Sequence, residues 1–183
     1  MATLFVDKVD PQSGTALEIG SSGDTITIPS GATITNSGTA NNFGGANTPA
    51  FRAKRGSNQS VANNTSTKII FDSEDYDTDN AYDTSNGRFT IPSGEGGKYL
   101  ITANLRFNSA TSNRNALDIK INNSSSNTTA SEWTSGQYGT LILTTPYVLS
   151  AGDYIDVEYY QSSGGAIEVR TESFFSAHKL IGV

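Results

Sequence analysis

The chain has 183 residues, of which 35% are hydrophobic and 16% are charged, and its formal net charge is −6. This acidic balance gives no general field that attracts phosphate backbones or anionic lipid, so nucleic-acid binding is not expected. The absence of cysteine excludes disulfide frameworks, thiol catalysis and cysteine-rich zinc sites.

The N-terminal residues, MATLFVDKVDPQSG, contain no basic segment, and their only contiguous apolar run is residues 4–6. This run is too short for a signal peptide or for a membrane span. We therefore expect no membrane insertion, and we expect the protein to be made in the cytoplasm and released without signal-dependent export.

Residues 1–40 are predicted to form a short fibrous β stalk. Very short strand-like pieces are separated by GSSGD and PSG, and almost the only large apolar side chains are Ile19, Ile26, Ile28 and Ile34. One thin apolar stripe cannot bury a core by itself, but three identical copies around one axis would turn the isoleucines inward and cover the strand edges. The alternative is a disordered arm, because Ser, Gly, Thr and Asn dominate the segment.

Residues 41–49, NNFGGANTP, read as a hinge, and residues 50–183 as a globular head. No part of the head holds a helical period, whereas apolar and β-branched residues alternate with polar ones between turn residues. The sequence predicts an all-β sandwich or jelly roll. The predicted strands cover residues 50–54, 67–72, 88–91, 98–107, 116–122, 139–149, 154–162, 167–172 and 174–181.

The acidic stretch that begins at Glu74 does not match a calcium loop. Counted from Asp75, the positions that need glycine and glutamate in an EF-hand hold Asn80 and Asn86. We predict that residues 74–79 form a solvated loop without a metal ion. Residues 83–89 should form a turn in which Gly87 supplies a positive φ.

The head resembles the C1q-like domain, which shares its jelly roll with the tumour necrosis factor group. Within residues 67–107 the pattern is a strand ending in phenylalanine, a Tyr-Asp pair, a turn ending Gly-x-Phe, and then Pro, Gly and Tyr before the next strand. It is carried by Phe71, Tyr82, Asp83, Gly87, Phe89, Pro92, Gly97 and Tyr99.

Two later segments extend this resemblance. LSAGDYIDVEYY is similar to the family's late strand and its turn, and SFFSAHKLIGV to its closing strand. Asn123 and Ala177 stand where the family has glycine, and His178 stands where it has an aromatic residue. The resemblance implies a homotrimer that binds rather than catalyses.

The N-terminal segment resembles the corresponding region of fibre or appendage proteins of tailed phages, in which it precedes a C1q-like head. This implies a virion structural protein that joins other virion proteins through its N-terminal segment and attaches to a host surface glycan or protein through its head. The alternative is a secreted cellular C1q-like recognition module.

No catalytic constellation is evident. The single histidine, His178, lies in a predicted core strand, and the chain has no G-x-S-x-G motif. The carboxylates of Glu74, Asp75, Asp77 and Asp79 are neighbours on one segment and are not held in two different environments, as glycoside hydrolysis requires. We expect no enzymatic activity and no cofactor, although a polysaccharide depolymerase is a third class to be tested by product formation.

Trp133 and Tyr138 are the candidate receptor-contact residues. They lie in or beside a long polar segment between two predicted strands, where an aromatic ring can stack on a sugar or anchor a partner. For Trp133, packing in the core or at a trimer seam is the alternative.

Overall fold

The computed structural model of the chain describes residues 9, 11–39, 47–108, 113–124, 128–134 and 138–180. The chain divides into two compact units, Met1–Asn41 and Asn42–Val183, which are described separately below. Residues 41–46 of the predicted hinge lie outside the described residues.

The first unit contains two tight turns that reuse one pattern. The amide of Asp24 donates to the carbonyl of Ser21 at 3.0 Å, and the amide of Ala32 donates to the carbonyl of Pro29 at 3.1 Å. Gly23 and its counterpart in the second turn have φ values of 93° and 85°, which suits a type II turn.

The described residues of the first unit form no strand within one chain, and the four isoleucines of the predicted stalk core are exposed there. A single copy offers these segments no neighbouring edge with which to pair. Assembly of this unit with other copies stays a prediction.

The described part of the second unit is built from strands and contains no helix. Thirteen strands lie within it: β1 Ala50–Lys54, β2 Gln59–Val61, β3 Thr67–Lys68, β4 Ser73–Asp77, β5 Tyr82–Asp83, β6 Arg88–Thr90, β7 Gly97–Asn108, β8 Asn113–Ile121, β9 Thr128–Thr134, β10 Tyr138–Leu149, β11 Tyr154–Gln161, β12 Ile167–Val169 and β13 Phe174–Lys179.

The strands form two antiparallel sheets. The first sheet has the order β2-β12-β7-β13-β1-β4, with β10 also paired to β7. The second has the order β5-β6-β11-β8-β9, with β3 also paired to β11. This architecture confirms the predicted all-β jelly-roll sandwich.

The core lies between the two sheets and is rich in aromatic rings. Along β7 every second side chain from Tyr99 to Phe107 is buried, as expected for a strand with one face against a core. Phe51 stacks on Tyr82 and Phe89, with ring centres 4.7 and 4.5 Å apart. Each such pair stabilises the fold by about 0.5–1.5 kcal/mol beyond the burial of its area.

The prediction of a solvated loop at residues 74–79 is wrong for most of its length, because β4 pairs with β1. The carboxylate of Asp75 accepts hydrogen bonds from Arg52 and from Lys54, the latter at 2.5 Å. The hydrogen bond from Lys54 is the main reason that the pKa of Asp75 lies below its usual value. Cross-strand cations therefore allow an acidic segment to serve as an edge strand.

Three further strands, β2, β5 and β9, were also not predicted. Two of them have only two or three residues, and β9 consists mainly of Thr, Ser, Ala and Glu, so none carries a clear apolar alternation. In contrast, the observed bounds of β1 are those predicted from the sequence.

The predicted turn before β6 is confirmed, since Gly87 has a φ of 68°. Its amide donates to the carbonyl of Asp83 at 2.8 Å, and the Asp83 carboxylate accepts from Ser85 and Asn86. The hydroxyl of Ser85 is the first cause of a lowered pKa at Asp83.

The family's glycine positions are filled here by residues that fit locally. Asn123 has a φ of 58° and Asn122 one of 52°, a conformation that asparagine tolerates better than most residues. Ala177 is fully buried in the core. His178 lies on β13 but at its partly exposed outward face, where its Nε2 is 2.7 Å from the hydroxyl oxygen of Tyr76.

Candidate binding surface

The first sheet has two distinguishable ends. At one end β1 begins with Ala50 opposite His178, which lies opposite Leu100. We call this the entry end, because the chain enters the sandwich there. From Leu100, β7 runs to Asn108, which pairs with Tyr138 at the other end, called the distal end.

Trp133 also lies at the distal end. Strand β11 starts beside the entry end after the turn that follows β10, and it finishes at Gln161 opposite Asn115 of β8. Trp133 pairs with Arg114, one residue farther along the same end of β8. The structure thus places Trp133 on a strand, and not on a loop as the sequence suggested.

Tyr138 stands between two arginines. Its side chain is 47% exposed, and the guanidinium carbons of Arg106 and Arg170 lie 5.1 and 5.4 Å from the centre of its ring. Glu172 approaches both arginines, at 3.9 Å from Arg106 and 3.6 Å from Arg170. The sandwich therefore presents a cationic and aromatic cluster at its distal end.

The acidic residues at and directly after the end of β4 lie at the entry end. Thr78 hydrogen-bonds to the backbone of Ala50 through both its amide and its hydroxyl, at 3.0 and 2.9 Å. A shallow depression of about 340 Å³ there is lined in part by Asp79 and Asp83. Tyr82, Thr90 and Pro92 form part of its remaining lining, and the Asp83 carboxylate is occupied by hydrogen bonds within its own turn.

The outward face of the first sheet carries exposed apolar side chains. Ile142 and Val148 on β10 are 60% and 75% exposed, and Leu100 lies on the adjacent β7. Thr102 and Thr144 bond to each other across the same two strands at 3.1 Å. The sequence of β10 indicates this face. Exposed Ile142 and Val148 alternate with buried leucines, so apolar side chains lie on both faces of the strand.

Two features are absent from the described residues, a cluster of metal ligands and a membrane-spanning helix. Within the described residues no three carboxylate or imidazole groups come together in a way that could hold a metal ion. The Nε2 atom of His178 faces the hydroxyl oxygen of Tyr76 at 2.7 Å. None of the described residues belongs to a helix long and apolar enough to cross a membrane.

Comparison with solved structures places the fold. The globular domain of zebrafish complement 1qA aligns with 72% of this chain and 97% of its own, with 16% identity and a TM-score of 0.55. The Eiger TNF of S. frugiperda aligns with 73% of this chain and 93% of its own, with 10% identity and a TM-score of 0.56. Murine APRIL at pH 5.0 covers 72% of this chain and 98% of its own, with 12% identity and a TM-score of 0.51.

No curated protein matches the chain. The family model of the C1q domain matches residues 50–180. This range is most of the chain and contains all thirteen strands of the sandwich. Together with the jelly roll and the turn at Gly87, this match shows that the chain belongs to the C1q domain family.

Proposed function

We propose that the protein is a trimeric virion appendage whose head attaches to the surface of a host cell. The observation that carries the attachment role is the position of Trp133 and Tyr138. Both lie at the distal end of the sandwich, remote from Ala50, where the chain enters it. Tyr138 is also exposed there, and an exposed aromatic ring can anchor a partner.

Trimerisation is supported by the family and by the outward face of the first sheet. C1q and TNF-like domains typically form homotrimers. Ile142, Val148 and Leu100 leave apolar area in water within one chain, and association would remove it. The absence of disulfides gives a further reason for association, since binding between copies stabilises the folded state.

The virion assignment rests on the resemblance of the N-terminal segment to phage fibre and appendage proteins. In this proposal that segment joins other virion proteins and builds the stalk. The alternative is a secreted cellular recognition module of the C1q type. The gene neighbourhood separates the two, because a virion protein is expected among capsid or tail genes.

A threefold head explains how weak sites give useful attachment. Once one site is occupied, the other two bind at a high effective concentration, so overall affinity exceeds that of one site by about 10²–10⁴. Polar distal segments with a few rigid aromatic rings suit such modest individual contacts.

Competition tests the attachment role. The soluble trimer is expected to adsorb to host cells and to block adsorption of virions. Trp133→Ala should weaken this competition without changing the mass of the trimer, whereas Asp79→Asn at the entry end should compete like the wild type. If the trimer binds no host cell and virions without it still infect normally, the attachment role is wrong and a stabilising or decorative role on the capsid replaces it.

A further inference from the structure

We infer that the cluster of Arg106, Tyr138 and Arg170 binds an acidic saccharide through its carboxylate groups. The inference rests on the proposed attachment function and names the class of ligand for it. It is drawn from the placement and charge of these side chains and from the long ion-pair distances of the two arginines.

The fold brings two distant arginines to one place. Val169 pairs with Phe107, and the amide of Arg170 donates to the carbonyl of Arg106 at 2.8 Å, so Arg170, which directly follows β12, lies beside Arg106 of β7. Both guanidinium groups contact the ring of Tyr138, which holds them in position. This local positive charge stands on a protein with a net charge of −6.

The donors of this cluster are incompletely used. Within the described part of the chain, Glu172 is the carboxylate in ion-pair range of these arginines, and its distances of 3.9 and 3.6 Å exceed those of a hydrogen bond. Its side chain is also 52% exposed, so water competes for it. The Nε of Arg170 is shielded from solvent and has no hydrogen-bond partner among the described residues.

Arg88 offers a comparison, because its Nε is likewise shielded from solvent and without a hydrogen-bond partner among the described residues. Arg88 also stacks on a tyrosine, with its guanidinium carbon 3.6 Å from the ring centre of Tyr154. It lies 3.7 Å from the buried carboxylate of Asp156, which Lys68 approaches at 2.6 Å. Each site therefore has two cations and one carboxylate, but the acid beside Arg88 is buried, with its side chain 2% exposed, whereas Glu172 is 52% exposed to water.

The side chains fit a carboxylated sugar. A guanidinium group can bind a carboxylate through two parallel hydrogen bonds, and two such groups are available. The exposed ring of Tyr138 offers an apolar surface for the C–H face of a pyranose and a hydroxyl for its polar edge. A nucleic acid fits poorly, because phosphate backbones require an extended basic surface and this protein is acidic overall.

Binding of two matched saccharides tests the inference. The trimer should bind a hexasaccharide of galacturonic acid and bind its methyl ester, which has the same rings without the charge, about tenfold or more weakly. Arg106→Gln combined with Arg170→Gln should remove the preference for the acid. Arg88→Gln is the matched control and should leave it unchanged.

Three further variants separate binding from folding. Arg106→Lys with Arg170→Lys keeps both charges but loses the planar forks, and should bind the acid several-fold more weakly while remaining folded. Tyr138→Phe should retain most of the affinity, whereas Tyr138→Ala should lose it. The molecular mass of every variant is first measured by light scattering, because the cluster lies on the sheet face that carries the proposed assembly residues.

Equal binding of the acid and its ester, or an unchanged preference in the double glutamine variant, would overturn the inference. Adsorption to cells distinguishes it from the proposed function. If the double glutamine variant no longer binds the saccharide but adsorbs to cells normally, an acidic saccharide is not the receptor, and the attachment role stands. If the wild type binds the saccharide and adsorbs to no cell, the site stands and the attachment role fails.

Discussion

At the scale of single residues, glycine and short polar side chains fix the turns of the head. Gly87 combines a positive φ with close packing, since a Cβ built there would lie 2.9 Å from the carbonyl oxygen of Ile69. Gly94 has a φ of 81° but open space around it. A side chain added at Gly94 would therefore meet backbone strain alone, whereas one added at Gly87 would meet both strain and a steric clash.

We expect Gly87→Ala to lower the free energy of unfolding by about 3 kcal/mol, because strain and clash add. Gly94→Ala should cost only about 1 kcal/mol, since it meets the strain alone. Urea unfolding of both variants at one protein concentration measures the difference. Equal losses would contradict the close contact with Ile69.

Asp153 ties two turns together. Its carboxylate accepts from the side-chain amide of Asn122 and from the amide of Ser150, each at 2.7 Å. The bond from Asn122 is the main reason that the pKa of Asp153 lies below its usual value of 3.8. A lowered pKa in the folded state means that the ionised group contributes stability above about pH 4, and this contribution is lost as the pH falls through the folded pKa.

We therefore expect Asp153→Asn to be less stable than the wild type at pH 7, with a difference that shrinks as the pH falls below about 4. Asn122→Ala removes the donor and should reduce the same pH dependence. Thermal unfolding between pH 7 and pH 3 measures both effects. A constant difference across this range would show that the carboxylate is not responsible.

At the scale of elements, the strands of the sandwich differ in whether each of their two faces is buried or exposed. β7 alternates between core and outward face, and β10 does the same but remains apolar on both faces. β4 is exposed and acidic, and it is held at the sheet edge by pairing with β1. The outward face of β10 is therefore the surface that association would protect.

Ile142→Asp should convert the proposed trimer to monomers at micromolar concentration, because association would then bury a charge without a partner. Thr90→Asp, on an exposed position of β6 in the second sheet, is the control and should remain trimeric. Light scattering gives the mass directly. If Ile142→Asp leaves the mass unchanged, the copies meet through another surface.

At the scale of the whole molecule, the two units differ in how they can be stable. The sandwich buries a continuous core within one chain, whereas the described residues of the first unit expose all four of their isoleucines. The stalk prediction requires that other copies cover these side chains. The disordered arm predicts that they stay in water.

Ile26→Asp or Ile28→Asp should disrupt assembly of the first forty residues, because three carboxylates would meet on one apolar axis. Thr27→Asp, between them, should be tolerated if alternate residues face outward. The readout is the rate at which protease removes this segment. Cleavage of the wild type as fast as an unfolded peptide would favour the disordered arm.

The sequence by itself determined the fold class of the head. Period-two alternation in β7 and β11 is a local property, and so are the turn at Gly87 and the bounds of β1, because each depends on neighbours in the chain. The resemblance carried by Phe71 to Tyr99 then selected the C1q jelly roll, which the family match confirms. The long polar segment between two predicted strands separately indicated Tyr138 as a candidate contact residue, but it did not indicate the two arginines beside it.

Only the tertiary structure decided which residues share the distal end. Arg106 and Arg170 meet at Tyr138 because β12 packs beside β7 while β10 pairs along its length, and no local pattern encodes those pairings. The same reason explains β4, whose acidic residues form a strand because β1 places cations across from Asp75. Strand partners far apart in sequence are fixed by burial of the whole core, so a cluster made by them exists only once the sheets have formed.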